Sequence, residues 1–400
     1  MPGSPGSSVR FLLVAMSVVG SAHLYVWLRL VHDPSLPAPW TALASAFLFL
    51  AWLSIPLALS WGRRLAPPWA ALVAWPGYAW LGSIFLLLVA VLAVDVARGI
   101  LALGSWVLGA GHVFSGDELA RARRWAEVSA AFGGVAILSA LTVGRRVVVR
   151  RVSVPLAKLP AALDGTTIVQ LSDVHIGPTI GKRFASRIVE RVNALKPDVI
   201  AITGDLVDGS VSRLAPHVAP LGSLQARHGV FFVTGNHEYY AGVDEWCAHL
   251  QTLGVRVLRN ERVSIGEGDA SYDLAGVDDL AGRHFGRGHG ADLERALKGR
   301  DPARELVLLA HQPRVVIEAE PAGVSLQISG HTHGGQIWPF NFLVRLQQPV
   351  TSGLARFGRS FLYVSNGTGY WGPPMRLGSP AEITELVLLA RPPGAAEAVP

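Results

Sequence analysis

The sequence predicts an α/β layer fold that follows a helical membrane domain. From Thr166 onward, short apolar runs typical of strands alternate with segments whose apolar residues have helical spacing. Before Arg145 the chain consists mainly of long apolar stretches, which hold almost all of its excess of apolar residues. A chain of 400 residues with such a contrast between its parts is expected to form two or three domains.

The composition favours a membrane-associated protein over a purely soluble one. The mean hydropathy is +0.36 and the isoelectric point is near 9.8. The arginines lie beside apolar segments, which favours contact with a membrane surface, and we expect no nucleic-acid partner. The single cysteine excludes an internal disulfide, and we expect Cys247 to be a small buried residue on a helix instead of a catalytic thiol.

We expect residues 1–8 to be disordered and residues 9–146 to form a membrane domain of about four spans. Each span approaches the ~20 apolar residues that a bilayer crossing requires. The four stretches are Phe11–Val31, Thr41–Ser60, Ala79–Gly104 and Ala126–Val143. A signal peptide is the alternative for the first stretch, but the stretch is too long and further apolar segments follow it. Asp95 and Arg98 are three residues apart, so they can pair on one helical face.

The distribution of basic residues predicts the orientation of the chain. Four spans place the N-terminus, the second loop and the C-terminal domain on one side of the membrane. That side carries Arg10, Arg63, Arg64, Arg145, Arg146, Arg150, Arg151 and Lys158, and the other carries Arg29, Arg121, Arg123 and Arg124. The positive-inside rule therefore predicts a multi-pass protein of the cell (inner) membrane with a cytoplasmic C-terminal domain. A further span within Leu101–Phe114 would reverse this orientation.

The remainder divides into a linker at residues 147–165, a folded domain at 166–390 and a disordered tail at 391–400. The linker either only connects the membrane domain to the folded domain or begins as its first strand. Predicted helices cover Ala185–Leu195, Asp244–Leu253 and Asp292–Lys298. Predicted strands cover Thr167–Leu171, Val199–Ile202, Val230–Val233, Tyr272–Ala275, Leu306–Leu309, Val324–Ile328, Phe361–Val364 and Ile383–Leu389.

Five of these strands end in residues that can bind a metal. The donors are Asp173 and His175, Asp205 and Asp208, Asn236 with His237, His311, and finally His331 and His333. Ligands of open α/β sheets gather at the carboxyl ends of the strands. Oxygen and imidazole donors without a thiolate suit hard or borderline divalent ions such as Mn, Fe, Zn or Mg.

This series of motifs, D-x-H, G-D-x-x-D, G-N-H-E, a single His and G-H-x-H, resembles the calcineurin-like metallophosphoesterases over about residues 166–390. The resemblance implies a four-layer β-sandwich, in which helices flank two sheets, and a two-metal centre. By resemblance, one metal, with Mn the first choice, is held by Asp173, His175, Asp205 and His333. The other is held by Asp205, Asn236, His311 and His331, so that Asp205 bridges the two.

The resemblance also implies the residues that move the proton. His237 resembles the general acid of the family, and Asp208 resembles the carboxylate that orients its imidazole. The alternative for Asp208 is an aspartate that caps a turn. Protein phosphatases of the family carry an Arg where this chain has Gly209, which argues against a phosphoprotein substrate. Arg183 and Arg376 are either phosphate contacts or surface arginines.

Two apolar segments follow the motifs, Ile337–Val344 and Trp371–Met375. They form either ordinary core or a lip that contacts membrane or acyl chains. With the attached spans, they resemble the membrane-bound branch of the family, some members of which hydrolyse UDP-2,3-diacylglucosamine in lipid A synthesis. We therefore expect a membrane-anchored phosphohydrolase that acts on an amphiphilic phosphodiester or pyrophosphate at the bilayer, without an obligate protein partner. The alternatives are a tethered phosphodiesterase for soluble nucleotides and a non-catalytic membrane scaffold or sensor.

Overall fold

The structure is a computed structural model that describes residues 5–62, 64–65, 69–108, 117–286 and 288–390. The chain forms two compact units. The helical unit comprises residues 5–145 with Gly372–Leu377, and the sheet unit comprises Arg146–Trp371 with residues 378–390. The predicted disorder of the tail at residues 391–400 lies outside the described residues. The N-terminal segment was predicted to be disordered, but residues 5–8 belong to a helix that begins at Pro5. The fixed φ of proline suits a first helical position.

The helical unit contains four long helices within the part of the chain that the structure describes. They are α1 (Pro5–Trp27), α2 (Ala38–Trp61), α3 (Trp69–Val107) and α4 (Glu118–Gly144). A π-helical turn, Leu28–His32, continues α1. By length and composition, α2, α3 and α4 are apolar enough to cross a membrane. Each of the four predicted stretches is thus helical, and the crossing by the first one stays a prediction.

Helix α3 differs from the prediction at its start. The Trp75-Pro76-Gly77 sequence is typical of a break before the third span, yet Pro76 lies inside α3. Neighbouring helices allow this in membrane proteins, and here Gly77 faces α2 so closely that a Cβ atom would clash with the carbonyl oxygen of Ser54. The helix continues unbroken to Val107, and residues 109–114 of the possible additional span lie outside the described residues.

The sheet unit contains two six-stranded mixed sheets. The strand order is β1-β12-β2-β3-β4-β5 in the first sheet and β10-β11-β9-β8-β7-β6 in the second. The strands are β1 (Val147–Leu156), β2 (Thr167–Leu171), β3 (Val199–Ile202), β4 (Val230–Phe232), β5 (Arg256–Val257), β6 (Glu261–Glu267), β7 (Ala270–Gly276), β8 (Leu306–Leu309), β9 (Leu326–Ser329), β10 (Gly353–Phe357), β11 (Ser360–Val364) and β12 (Ala381–Ala390). In the centre, β2 to β5 run parallel to one another, and so do β7, β8, β9 and β11.

The two sheets pack face to face and helices cover their outer faces. The helices are α5 (Lys182–Ala194), α6 (Val211–Val218), α7 (Asn236–Ala241), α8 (Val243–Thr252), α9 (Leu293–Leu297), α10 (Val316–Ala319) and α11 (Asn341–Val344). In β3, Val199 and Ala201 point into the core between the sheets, whereas Ile200 and Ile202 point into the core under α5, α6 and α8. Both faces of the strand are therefore buried, which explains its uninterrupted apolar sequence. The predicted four-layer fold is confirmed.

The predicted linker at residues 147–165 begins as the first strand of the sheet unit, so only its second part is a connection. Residues Val147–Leu156 form β1, which pairs in parallel with the whole of β12. The partner strand lies more than 220 residues away in sequence, so no local pattern reveals the pairing. The sheet unit therefore begins almost directly after Gly144, where α4 ends.

Candidate metal centre

The carboxyl ends of strands from both sheets deliver the predicted donors to one place. Asp173 and His175 follow β2, Asp205 follows β3, and Asn236 follows β4 in the first sheet. In the second sheet, His311 follows β8, and His331 and His333 follow β9. Because the central strands of each sheet are parallel, these loops meet at one edge of the sandwich.

The first donor cluster consists of Asp173, His175 and His333, all of which are buried. The Nε2 atoms of His175 and His333 are 3.1 Å apart. The Nε2 atom of His333 lies 3.4 Å from a carboxylate oxygen of Asp173. Three buried donors therefore converge on one point.

The second donor cluster consists of Asp205, His311 and His331. The Nε2 atom of His311 lies 3.3 Å from the Oδ2 atom of Asp205 and 3.1 Å from the Nδ1 atom of His331. The same Oδ2 atom is 3.9 Å from the Nε2 atom of His175 in the first cluster. Asp205 thus lies between the two clusters.

The spacing of the donors fits metal ions. Two ligands about 2.1 Å from one ion at right angles to each other lie about 3.0 Å apart. The nitrogen pairs of 3.1 Å in both clusters are close to this spacing. Asn236 gives independent support, because its buried Oδ1 atom has no hydrogen-bond partner in the part of the chain that the structure describes. A buried amide oxygen without a donor is costly unless a cation satisfies it.

Five residues of the two clusters have left-handed backbone conformations. The φ angles of Asp173, His175, Asp205 and His333 are 51–52°, and that of His331 is 71°. Residues other than glycine rarely adopt positive φ, and such strain of about 1–3 kcal/mol is concentrated at functional sites. The positive φ angles produce sharp turns, and these turns direct successive donors back toward the strand ends.

Glycines allow the loops to approach each other closely. A Cβ atom at Gly235 would overlap the carboxylate of Asp205. Gly204 has a φ of +86°, and a Cβ atom there would lie 2.5 Å from the backbone nitrogen of Gly235 and 2.9 Å from the Nδ1 atom of His311. The two glycines therefore set the distance between the second donor cluster and the loop after β4.

Hydrogen bonds fix the orientation of the imidazoles. The Nδ1 atom of His311 donates to the carbonyl oxygen of Thr203 at 2.8 Å, which leaves Nε2 as the donor atom for a metal. A carboxylate oxygen of Asp208 lies 2.6 Å from the Nδ1 atom of His237 and 3.0 Å from the Nδ1 atom of His175. Asp208 therefore orients a predicted metal ligand as well as the predicted acid. The contact with His175 is absent from the sequence-based prediction, because no local spacing signals it.

Glu238 is a buried carboxylate that the prediction of site residues did not include. It accepts hydrogen bonds from the backbone N–H groups of Asp205, Leu206 and Gly235 at 3.0, 2.8 and 2.7 Å. Burial raises the pKa of Glu238 to about 7, and the charge of Asp205 contributes to the increase. Through these bonds Glu238 connects the loop after β3 to the loop after β4. Its position directly after Asn236 and His237 allows it to reach both loops.

Burial and the neighbouring charges shift the pKa values of two histidines of the site in opposite directions. Burial lowers the pKa of His331 to about 3, and the neighbouring His311 adds to the effect, so its imidazole is neutral and has a lone pair available. Burial also lowers the pKa of His237, but the charge of Asp205 and the hydrogen bond to Asp208 outweigh it and raise the pKa to about 9. Burial raises the pKa of the Cys247 thiol to about 12, as expected for an inert residue.

Exposed aromatic residues surround His237. Tyr240 and Trp371 contact the imidazole edge-on, with ring centroids 5.5 and 5.9 Å away. The side chain of Gln336 donates to the carbonyl oxygen of Trp371 at 3.0 Å and accepts from its backbone nitrogen at 2.9 Å. This double contact connects the Trp371 loop to the segment that follows His333.

The two predicted phosphate contacts are not in the donor clusters. Arg183 is exposed on α5, where it borders a surface depression with Lys182, Ser186 and Arg187. Arg376 is fully buried and belongs to the segment Gly372–Leu377 of the helical unit. A role of either arginine in phosphate binding stays a prediction.

The fold and the clustered donors define a protein of the metallohydrolase type. The profile of the calcineurin-like phosphoesterase family matches residues 166–335. An uncharacterized metallophosphoesterase of Aquifex aeolicus is 36% identical over 240 residues, which cover 59% of this chain and 89% of the relative. This chain belongs to the calcineurin-like phosphoesterase family. The predicted class, a metal-dependent phosphoester hydrolase, is confirmed for the domain.

Other relatives are longer than the matched region. A transmembrane protein with metallophosphoesterase domain from Bos taurus is 45% identical over 271 residues, 64% of this chain and 61% of the relative. An uncharacterized metallophosphoesterase of Helicobacter pylori is 41% identical over 226 residues, 56% of this chain and 60% of the relative. The chain therefore spans about three fifths of the length of these two relatives.

Proposed function

We propose that this chain is a membrane-anchored phosphohydrolase that uses two divalent metal ions to cleave a phosphodiester or pyrophosphate bond in an amphiphilic substrate. The observation that carries the proposal is the position of the Asp205 carboxylate between two buried donor clusters. A lipid-linked nucleotide such as UDP-2,3-diacylglucosamine has the chemistry that this enzyme would recognise.

The geometry supports an assignment of the residues that would hold the ions. Asp173, His175 and His333 would bind one ion, His311, His331 and the unpaired Asn236 oxygen would bind the other, and Asp205 would contact both. Oxygen and imidazole donors favour Mn, with Fe, Zn and Mg as alternatives. When bound, two such metal ions would polarise a phosphoryl oxygen and lower the pKa of a bound water toward about 7.

His237 and Asp208 would move the proton. The hydrogen bond to Asp208 keeps a proton on the Nδ1 atom of His237 and leaves Nε2, 3.9 Å from the Asp205 carboxylate, to act on the leaving oxygen. The side chain of His237 is 12% exposed, so a substrate can reach it. Its backbone N–H donates to Asp205 at 2.9 Å, which fixes the distance between the acid and the metal centre.

The loop after Asp208 supports the exclusion of a phosphoprotein substrate. The carbonyl oxygen of Gly209 accepts a hydrogen bond from the indole of the buried Trp246 at 2.8 Å. A Cβ atom at Gly209 would lie 3.2 Å from Leu214, so the loop leaves little space for a larger residue. The position at which related phosphatases present an arginine therefore offers no phosphate-binding side chain here.

An exposed apolar rim supports an amphiphilic substrate. The rim consists of Trp338, Phe340, Phe342, Leu343 and Trp371, each between 47% and 56% exposed. Trp371 contacts His237, and Gln336 connects Trp371 to the segment that carries the other four. Burial of an acyl chain on the rim would contribute roughly 0.8 kcal/mol per methylene, so a few methylenes give about a hundred-fold preference.

Hydrolysis by the full-length protein in detergent, with added Mn²⁺, tests the proposal. We expect turnover of bis-(p-nitrophenyl) phosphate, and a higher kcat/KM for a diacylated nucleotide-sugar pyrophosphate than for its deacylated form or a phosphopeptide. The rim variants Trp371→Ala and Phe340→Ala should lower kcat/KM selectively for the acylated substrate. Ile317→Ala, which removes an exposed apolar side chain on α10 outside the rim, is the control. Equal turnover of the deacylated compound would favour the tethered soluble-substrate phosphodiesterase.

We further propose that the sheet unit faces the cytoplasm from the inner membrane. The excess of arginine and lysine on its side of the spans supports this orientation. Of those residues, Arg63 and the side chain of Arg10 lie outside the described part of the structure. Alkaline phosphatase fused after Arg146, between α4 and β1, should be inactive, whereas a fusion after Asp33, between α1 and α2, should be active. The reverse pattern would contradict the orientation.

A further inference from the structure

The helical unit contains a cavity with several charged lining residues, and this cavity lies outside the metal centre. Its volume is about 770 Å³, and it is lined by residues from the π-helical turn, the start of α2, the middle of α3 and the start of α4. Such a volume lies within the range of about 300–1,000 Å³ that is common for small-molecule sites. The charged lining residues are Arg29, Asp33, Asp95, Arg98, Glu118 and Arg121.

Asp95 is the centre of this charged lining. It accepts hydrogen bonds from the Nε atom of Arg29 at 2.8 Å and from an Nη atom of Arg98 at 3.0 Å, as the (i, i+3) pairing predicts. The hydroxyl group of Tyr25 also donates to it. A second contact of Arg29, at 2.8 Å, is with Asp33. Because each carboxylate is paired with an arginine, the charged side chains are tolerated between apolar helices.

The network leaves donors for a ligand. A guanidinium group has five N–H donors, and these contacts engage two nitrogens of Arg29 and one of Arg98. The side chains of Arg29 and Arg98 remain 37% and 38% exposed. Arg29 also lies on the π-helical turn, an irregularity frequently found at functional sites. Ionisable residues in membrane helices are costly and generally mark a functional site.

The lining identifies the chemistry of the ligand. Three arginines and three carboxylates give the charged residues a formal sum of zero, which favours a zwitterion over a simple anion. The planar donors of arginine match a phosphate group. Glu118, whose side chain is 94% exposed, and Asp33 can accept an ammonium group, and Trp27 and Trp125 offer aromatic faces beside it.

Apolar surface next to the cavity suits acyl chains. Val96 on α3 and Val128 on α4 are 60% and 49% exposed. In sequence, Val96 follows Asp95 and Val128 precedes Ser129, and both Asp95 and Ser129 line the cavity. We propose that the cavity binds the head group of a zwitterionic phospholipid, with the phosphate on Arg29, Arg98 and Arg121. This site is independent of the proposed hydrolytic function.

Lipid binding to the full-length protein in detergent, measured by native mass spectrometry, tests the proposal. The probes are short-chain phosphatidylethanolamine, phosphatidylglycerol, diacylglycerol and inorganic phosphate. We expect saturable binding of phosphatidylethanolamine, weaker binding of phosphatidylglycerol, and no competition by diacylglycerol or phosphate. Arg121→Gln should weaken binding about ten- to hundred-fold, as expected for the loss of charge-assisted hydrogen bonds. Its matched control is Arg124→Gln, an exposed position of α4 that does not line the cavity.

Two further variants test whether the lipid occupies the cavity itself and whether it binds apart from the metal centre. Ala122→Trp fills the cavity without removing a charge and should also abolish binding. Asp205→Asn, in the metal centre, should leave lipid binding unchanged, so a failure of the hydrolytic proposal is distinguishable. Equal effects of Arg121→Gln and Arg124→Gln, or equal binding of diacylglycerol, would overturn the proposal. Competition by inorganic phosphate at equal concentration would show a soluble-anion site and would also overturn it.

Discussion

Replacement of Asp208 by asparagine should impair metal binding and proton transfer together. One carboxylate oxygen of Asp208 accepts from the Nδ1 atoms of both His175 and His237. The amide oxygen of asparagine can occupy the same place, but it carries no negative charge, so both hydrogen bonds become neutral ones. Hydrogen bonds to charged groups contribute about 1.5–3 kcal/mol each and neutral ones about 0.5–1.5 kcal/mol, so the variant weakens the support of both imidazoles.

The expected magnitudes follow from the two contacts. Loss of the partner that orients a metal-binding histidine costs about 10–100-fold in metal affinity. Loss of general-acid assistance costs about 10²–10⁴-fold in rate, most for substrates with poor leaving groups. Asp208→Asn should therefore show both defects, whereas His237→Ala should show the rate defect with near-normal metal affinity.

Metal titration and a series of phosphodiesters with different leaving groups measure the two effects. Asp198→Asn is the control, because Asp198 makes its hydrogen bonds to Thr167, away from both donor clusters. If Asp208→Asn retains metal affinity and slows activated and unactivated esters equally, Asp208 does not have the dual role inferred from the structure.

Three further outcomes are expected. Asp205→Asn should lose both metals and all turnover, because its carboxylate lies between the clusters; a variant that retains two metals and activity would contradict the assignment. Gly204→Ala and Gly254→Ala impose similar positive-φ strain, +86° and +80°, but only the first brings a Cβ atom against Gly235 and His311. Metal affinity should therefore fall in Gly204→Ala alone, and denaturant unfolding should show a loss of about 1–3 kcal/mol beyond that of Gly254→Ala. Chelation should lower the midpoint of thermal unfolding and added Mn²⁺ should restore it, since a bound ligand stabilises the native state; an unchanged midpoint would argue against metal binding.

The central strands could be predicted because each is an uninterrupted apolar run that ends in a polar loop. Thr167–Leu171, Val199–Ile202 and Leu306–Leu309 agree with the prediction to the residue. The strands that the sequence pattern does not define, β1, β5, β6 and β10, lie at the sheet edges. Edge strands carry more polar residues, such as Arg150 and Arg151 in β1, and their pairing partners determine them more than their own pattern does.

The donors of the metal centre could be predicted from their positions after the strands, but their geometry could not. Nothing in the sequence signals that Asp208 contacts His175 across 33 positions. The left-handed conformations of the donors are equally hidden, since Asp and His adopt positive φ more often than most residues but still at only a small minority of positions. These features depend on how the loops pack once both sheets have formed.

That packing explains how the strain at the donors is maintained. His331 donates its backbone N–H to both oxygens of Asp173 at 3.0 Å, and Asp205 is held through its own N–H by Glu238. Each strained turn is therefore fixed by a hydrogen bond from another strand end, and the rigid sheets hold the partners in place. These restraints involve protein groups alone, so the fold itself contributes to the convergence of the donors. A preformed site loses little conformational entropy on binding, so affinity should depend on the loop-to-loop contacts as much as on the ligands themselves.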